Sequence, residues 1–259
     1  MPENVDFPKI TYILGAGCSV EDDVSLVNNF FQLAFKKIEP LLQDSQKERF
    51  KKIREYRDEI LPGANIEQLF SYIDLMRSLY SNDTPKYNEL NQLRNDLFYL
   101  IVKTIGKNII ERRSVNYKNF LRNHIEKNKN PTYINPIISF NWELLLDNII
   151  FNPGIYRIAD IIPVDYGANF KMIDDNGEPR DVVRSSSYKV LKLHGSLNWL
   201  YCEQCRTRFF VFGEKITIPI WEGHAKSCPN CEKPLNPIIV PPTFQKFDSK
   251  TGISLLNEI

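Results

Sequence analysis

Four cysteines near the end of the sequence stand in two Cys-x-x-Cys pairs, and 22 residues separate the pairs. Two residues between cysteines let both sulfurs of a turn face one ion, and two such turns supply the four thiolates of a tetrahedral zinc site. The intervening residues are enough for a short antiparallel hairpin. The spacing therefore predicts a structural zinc site with no open coordination position, formed by Cys202, Cys205, Cys228 and Cys231.

The same cysteines allow two alternatives to this zinc site. Free or redox-active thiols would need surroundings that lower the thiol pKa, and the sequence indicates none. His224 lies between the two pairs and could compete as a ligand, but it belongs to neither pair. Four sulfurs already satisfy zinc, so His194, in the apolar run YKVLKLHG, is expected to have another role.

The stretch GAGCS follows the apolar run ITYIL directly. After a strand, a Gly-x-Gly allows a tight turn at Gly15 and a close backbone approach to a phosphate at Gly17. The third glycine of the dinucleotide-binding fingerprint is missing, because Val20 occupies that position. No convincing acidic residue ends a second strand about 20 residues further on. The pattern is thus compatible with a phosphate-binding turn, without being specific for one, and it argues against a hydride-transferring enzyme.

Asn141 emerges from the apolar run IISF immediately before a helical pattern, and its plain structural interpretation is a helix cap. Ligands in open α/β sheets bind at the carboxyl ends of strands. GAGCS, Asn141 and His194 each follow an expected strand, so we expect all three at one edge of a sheet.

These side chains require a sheet to position them. Apolar, β-branched runs occur at 10–14, 134–140, 156–164, 188–195 and 236–244, which favours buried strands of a mainly parallel sheet. Between the first two runs, apolar residues recur at helical spacing over about 100 residues. The predicted segments are a first strand with its phosphate turn (9–23), a helical insertion (24–128), an α/β core with the catalytic motifs (132–201), a zinc ribbon (202–235) and a return to the core (236–259).

The amino-acid composition limits the classes of partner that the chain is expected to bind. The 33 basic and 32 acidic side chains give a net charge of +1, so bulk electrostatics indicates neither a nucleic-acid nor a membrane partner. The first residues lack the features of a signal peptide, and no stretch reaches the ~18 apolar residues of a membrane span. We therefore expect a cytoplasmic protein, in which thiols stay reduced and paired cysteines bind metal.

Taken in order, GAGCS, SFNWELL, KLHGS and the two cysteine pairs resemble the sirtuins and the wider sirtuin-like NAD-consuming enzymes. The resemblance implies a Rossmann-like sheet, a turn that holds the NAD pyrophosphate, an asparagine that contacts the nicotinamide ribose and water, and a histidine base. The helical stretch lies outside the resemblance. The implied residues are Asn141 and His194 for catalysis, Gly15, Ala16, Gly17, Cys18, Ser19, Phe140 and Asn141 for NAD, and the four cysteines for zinc.

Departures from the deacylase pattern decide which branch the chain resembles. Deacylases follow the second cysteine pair with a Phe-Gly-Glu segment that pairs with the acyl-lysine peptide, whereas NPIIVPPTF stands here, and its two adjacent prolines remove backbone donors. EDDVSLVNNF replaces the family's Gly-Ile-Pro-Asp-Phe-Arg. The expected function is NAD hydrolysis, as in a branch that includes bacterial anti-phage defence proteins. A deacylase or ADP-ribosyltransferase, and a non-catalytic nucleotide-binding module, are the alternatives.

The last residues, FDSKTGISLLNEI, read as a helix starting near Ser249 or Thr251 rather than as the strand and turn that hold the adenosine half of NAD. We accordingly expect a C-terminally incomplete fold. A longer protein, a homo-oligomer or a second chain would complete the site, and the isolated chain would bind NAD weakly.

Overall fold

The computed structural model describes residues 10–22, 27–110, 114–127, 136–147, 164–173, 177–181, 188–211 and 226–240. Three sequence predictions fall outside these ranges: the strand expected over 156–163, the competing ligand His224, and everything expected after residue 240.

Nine strands lie within the described residues. They are β1 (Tyr12–Leu14), β2 (Ile137–Ser139), β3 (Val164–Asp165), β4 (Phe170–Ile173), β5 (Pro179–Asp181), β6 (Tyr188–Lys192), β7 (Gly195–Tyr201), β8 (Arg208–Val211) and β9 (Asn236–Ile239).

The first sheet contains four strands in the order β1-β2-β6-β3, and every neighbouring pair is parallel. The register places Leu14, Ser139 and Lys192 side by side at the ends of three adjacent strands. Backbone hydrogen bonds continue one step further, from Phe140 to Leu14 and from Leu193 to Ser139. The predicted parallel sheet is therefore present.

The described residues between β1 and β2 are mostly helical, as their apolar spacing predicts. Local signals explain individual helix starts: the Asn65 side chain and the Gln68 side chain cap each other's backbone N–H groups, and Pro85 occupies a first helical position. The helices are a 3-10 helix (Ala16–Asp22), α1 (Phe30–Leu33), which continues as a π-helix (Ala34–Ile38) and a second 3-10 helix (Glu39–Leu41), α2 (Asp44–Ile60), α3 (Ile66–Ser78), α4 (Pro85–Ile110) and α5 (Val115–Lys127).

One hydrophobic cluster joins these helices to the parallel sheet. It includes Leu97 and Ile101 of α4, Ile137 of β2 and Val190 of β6, all of them buried. The helices thus pack against the strands that carry the candidate site. No helix in the described part of the chain is long and apolar enough to cross a membrane.

The second sheet has the order β5-β4-β8-β7-β9 and is mostly antiparallel, with one parallel pair between β4 and β8. Residues 236–239 pair antiparallel with β7 in this sheet, whereas the sequence analysis placed them in the parallel sheet. Only Leu193 and His194 separate β6 from β7, and a parallel return needs a crossover of a dozen residues or more. The chain therefore leaves the parallel sheet at His194.

Candidate functional site

The four cysteines form one cluster in which every Sγ lies within 4.8 Å of the others. Cys202 Sγ is 3.4 Å from Cys231 Sγ, and Cys205 Sγ is 3.6 Å from Cys228 Sγ. A tetrahedral zinc site with Zn–S bonds of about 2.3 Å has S–S edges of about 3.8 Å. The geometry fits a metal ion such as zinc held by all four thiolates.

The two cysteine pairs have the same local fold. Cys202 N donates to Thr207 O, and Cys228 N donates to Lys233 O, so each pair forms a hook that closes within six residues, 202–207 and 228–233. The residue after the second cysteine of each pair has a positive φ, 55° at Arg206 and 62° at Glu232. Non-glycine residues rarely adopt this conformation, and its occurrence at both equivalent positions shows that each hook is shaped to turn two sulfurs toward one point.

The surroundings of the cluster set unequal pKa values for its thiols. Burial acts to raise the pKa of Cys205, but hydrogen bonding with Thr207, Cys202 and Cys228 outweighs it and lowers the pKa to about 6. Burial raises the pKa of Cys228 to about 12. One thiol is therefore ionised at neutral pH before any metal binds, and another must lose its proton to the metal.

The second part of the site lies at the carboxyl edge of the parallel sheet. Gly15, Phe140 and Leu193 each directly follow a strand end, and those strands, β1, β2 and β6, are adjacent. The structure thus brings the GAGCS turn, Asn141 and His194 to one edge, as the sequence predicts for its catalytic and NAD-binding candidates. We call these three segments the strand-edge site.

The GAGCS turn continues as the 3-10 helix, and Cys18 N donates to Gly15 O at 3.0 Å. Ala16, Gly17 and Cys18 are exposed, and a Cβ at Gly15 or Gly17 would meet no atom within 4 Å. Neither glycine has a positive φ, so the turn at Gly15 does not depend on the left-handed conformation. The absence of a side chain at Gly15 and Gly17 instead leaves open space beside the exposed backbone of the turn.

Ser19, the last residue of this turn, points inward and is fully buried. Its hydroxyl donates to Glu143 Oε1 at 2.9 Å and lies 3.1 Å from the hydroxyl of Tyr117. A cofactor contact at this turn would thus come from the exposed residues 16–18. The hydrogen bonds of the buried Ser19 hydroxyl hold this turn against the core.

Asn141 is 6 % exposed and its amide nitrogen lies in a dense polar network. Asn141 Nδ2 donates to Gly15 O at 3.0 Å and lies 3.1 Å from Tyr117 OH and 3.3 Å from Glu143 Oε1. This contact joins the end of β2 to the turn after β1 across 126 residues of sequence. Asn141 therefore fixes the two segments relative to each other.

Glu143 is the acceptor at the centre of this network. Its Oε1 accepts from Tyr117 at 3.0 Å as well as from Ser19, and its Oε2 accepts from Leu145 N. Burial, followed by the neighbouring Glu143 carboxylate, raises the pKa of Tyr117 well above its usual range. Tyr117 therefore stays protonated and donates, and through it α5 contributes to the strand-edge site.

His194 is half-buried in the two-residue turn between β6 and β7. Its ring lies edge-on to Phe140, with 5.3 Å between ring centroids, and its carbonyl accepts from Val240 N. Gly195 has a φ of +74°, and a Cβ there would lie 2.3 Å from Ile238 O. The turn that holds His194 is thus fixed on one side by β9, the strand that leaves the second cysteine pair.

The sequence analysis missed three buried polar residues of this site: Tyr117, Glu143 and Lys192. Glu143 and Lys192 stand inside the quoted stretches SFNWELL and KLHGS, and a charged residue in an apolar run is a signal of a buried partner. Tyr117 carried no such signal, because tyrosine in an amphipathic helix is typical of a core face.

Comparison with family models and with curated proteins finds no match for this chain.

Proposed function

We propose that this chain hydrolyses NAD⁺ at the bond between nicotinamide and ribose. The observation that carries the proposal is the convergence of the GAGCS turn, Asn141 and His194 at the ends of three adjacent parallel strands. The resemblance of the same motifs to sirtuin-like enzymes supplies the substrate.

The reaction suits these residue types. The C–N bond to nicotinamide breaks with its electron pair going to the ring nitrogen, so nicotinamide leaves neutral and the ribose passes through an oxocarbenium-like state. Water then forms the new C–O bond at the same carbon and gives up one proton. The products are nicotinamide, ADP-ribose and that proton. Because the leaving group needs no proton, the site needs only a base and a group that positions the water.

The strand-edge site offers a partner for each part of NAD⁺. Exposed backbone at residues 16–18, with open space beside Gly17, suits the pyrophosphate. His194, half-buried beside Phe140, is the proposed base for the water or a ribose hydroxyl. Asn141 is held by Gly15 and Tyr117, so its side chain is preorganised to position the reacting ribose and water.

For the cysteine cluster we propose a structural Zn²⁺. Four thiolates complete a tetrahedron and leave no coordination position for a substrate. Cys202 and Cys228 are buried in a small hydrophobic cluster with Leu200, Phe209 and Leu235. The ion would hold β7, β8 and β9 together and so support the strands that flank the His194 turn.

The test is nicotinamide release from NAD⁺ with and without an acetylated peptide. Peptide-independent release that disappears in His194→Ala and in Asn141→Ala supports hydrolysis. Asn88→Ala, an exposed asparagine on α4, is the matched control and should retain full activity. Release only with peptide would indicate a deacylase, and the absence of release would indicate a non-catalytic module. Release that is unchanged in both site variants would contradict the assigned residues.

A further inference from the structure

A fully buried lysine stands beneath the strand-edge site, outside the roles proposed so far. Lys192 is the last residue of β6, and its side chain is 1 % exposed. Its Nζ donates to Glu143 O at 2.7 Å, to Asp147 Oδ2 at 2.8 Å and to Ser196 Oγ at 2.7 Å. An ammonium has three N–H donors, so each has one acceptor.

Two of these acceptors belong to the two catalytic segments. Glu143 lies two residues after Asn141, and Ser196 lies two residues after His194. The same ammonium therefore bridges the segment that leaves β2 and the turn that leaves β6. Within the described part of the chain, its three hydrogen bonds go to these two segments and not to the exposed backbone of residues 16–18.

Asp147 supplies the countercharge for Lys192. Its other oxygen accepts from the hydroxyl of Tyr166 at 2.5 Å. Burial, and then the Asp147 carboxylate, raises the pKa of Tyr166 well above its usual range, so this phenol remains a donor. Both charges are thus buried, paired and hydrogen-bonded.

Such an arrangement is poorly explained by stability alone. Removing two charges from water is costly, and replacing a buried ion pair by neutral residues of similar volume is often neutral or stabilising. What the pair provides is a fixed geometry, because a single atom sets the separation of two backbone segments.

We propose that Lys192 is a positioning residue for the reaction: its ammonium fixes the distance and orientation between Asn141 and His194. This inference rests on the proposed NAD⁺ hydrolysis for its kinetic consequence. Because a misplacement of about 1 Å can cost on the order of 100-fold in rate, loss of the bridge lowers kcat. The Michaelis constant changes little, because the hydrogen bond from Asn141 Nδ2 to Gly15 O, which holds the pyrophosphate turn, does not involve Lys192 and is kept.

The informative variant removes both charges together. In Lys192→Met with Asp147→Asn, neither member of the ion pair is left buried without its partner, and the asparagine keeps an oxygen for Tyr166. We expect kcat to fall about 10- to 100-fold while KM stays within about twofold and the unfolding midpoint stays close to that of the wild type. Lys189→Met, the same change at an exposed position of β6, is the control and should leave kcat unchanged.

Amide hydrogen exchange gives a readout that does not depend on turnover. In the double variant we expect faster exchange at residues 141–147 and 193–197 and unchanged exchange in the cysteine hooks. If the wild type releases no nicotinamide, the proposed function fails, and this exchange result still decides the role of Lys192. Ser196→Ala removes only the Lys192 contact on the His194 side, so it should show faster exchange at residues 193–197 alone. This variant tests the inference if the double variant does not fold.

Wild-type exchange in both segments of a folded double variant would overturn the inference, as would wild-type kcat in an active enzyme. A fall in kcat in proportion to the fraction of unfolded protein would overturn it too, because that is the behaviour of a residue needed only for folding.

Discussion

The cysteine cluster and the strand-edge site are built in opposite ways. Each cysteine hook closes within six residues, and the two hooks repeat the same backbone geometry, including a positive φ at Arg206 and at Glu232. The strand-edge site instead draws Gly15, Asn141 and His194 from three separate segments, and a buried polar network fixes their positions. A site formed by residues close in sequence can be recognised from the spacing of those residues. A site formed by distant segments depends on tertiary contacts, which residue spacing does not show.

The two regions meet at Gly195. Strand β7 runs from Gly195 to the first cysteine hook, and β9 runs from the second hook back to Val240, whose N–H donates to His194 O. The indole of Trp142 donates to the carbonyl of the same Val240 at 3.2 Å. The hooks therefore connect by two strands to both segments that carry the proposed catalytic residues.

The largest expected effect lies in the cysteine cluster. We expect about one zinc ion per chain, and Cys228→Ser should lose that ion and more than ~5 kcal/mol of stability, because structural zinc contributes on the order of 10 kcal/mol or more to folding. Elemental analysis and denaturant unfolding measure the two quantities. Cys18→Ser, at an exposed cysteine outside the cluster, is the control and should change neither. Freshly purified protein without zinc would contradict the assignment of a zinc site to the four cysteines.

A smaller loss is expected at the centre of the polar network. Glu143→Ala leaves the buried donors of Ser19, Tyr117 and Leu145 without their acceptor, which should cost about 3–5 kcal/mol in the free energy of unfolding. Glu89→Ala removes an exposed carboxylate paired with Lys86 and should cost less than about 0.5 kcal/mol. Equal losses in urea unfolding would show that the network does not hold the strand-edge site together.

At Gly195, where the two regions meet, a single added methyl group should lower the free energy of unfolding. Gly195→Ala combines an unfavourable positive φ with a Cβ placed against Ile238 O, so we expect a loss of about 2–4 kcal/mol. Gly63→Ala has a similar φ of +80° but no atom within 4 Å of its Cβ position, and should cost about 1 kcal/mol. If unfolding experiments find the same cost for both, β9 does not constrain the His194 turn.

The smallest effect concerns protons at the cysteine cluster. The metal-free pKa of Cys205 is lowered to about 6, so this thiol is already ionised at pH 7.5 and protonated at pH 5. Zinc binding must displace that proton only at the lower pH, and zinc affinity therefore falls more steeply once the pH drops below about 6. Calorimetry in buffers of different ionisation enthalpy should find about one more proton released per zinc at pH 5 than at pH 7.5. An equal count would contradict the lowered pKa.

Much of the candidate site could be predicted from short motifs. The cysteine spacing, the glycine turn after ITYIL and the polar residues after two other apolar runs each depend on local sequence, and the structure places them as a parallel sheet requires. The helical character of the region between β1 and β2 followed equally from its apolar spacing.

What escaped prediction depends on non-local contacts. Tyr117 reaches Asn141 and Glu143 only because α5 packs beside the sheet edge, and nothing in the helix pattern names those partners. The antiparallel pairing of β9 with β7 follows from the meeting of the two cysteine hooks, which the strand pattern of residues 236–239 does not encode. The position of Lys192 in an apolar run indicates a buried partner, but its three acceptors come from other segments and cannot be named from the sequence.

The proposal that three segments distant in sequence form one NAD⁺ site is tested most directly by hydrogen exchange of the His194→Ala variant with and without NAD⁺. This variant should bind the dinucleotide without cleaving it. If the three segments form one site, we expect slower exchange at residues 15–19, 140–143 and 193–197 together, with no change in the cysteine hooks at 202–207 and 228–233. Protection confined to one segment, or none at saturating NAD⁺, would contradict it.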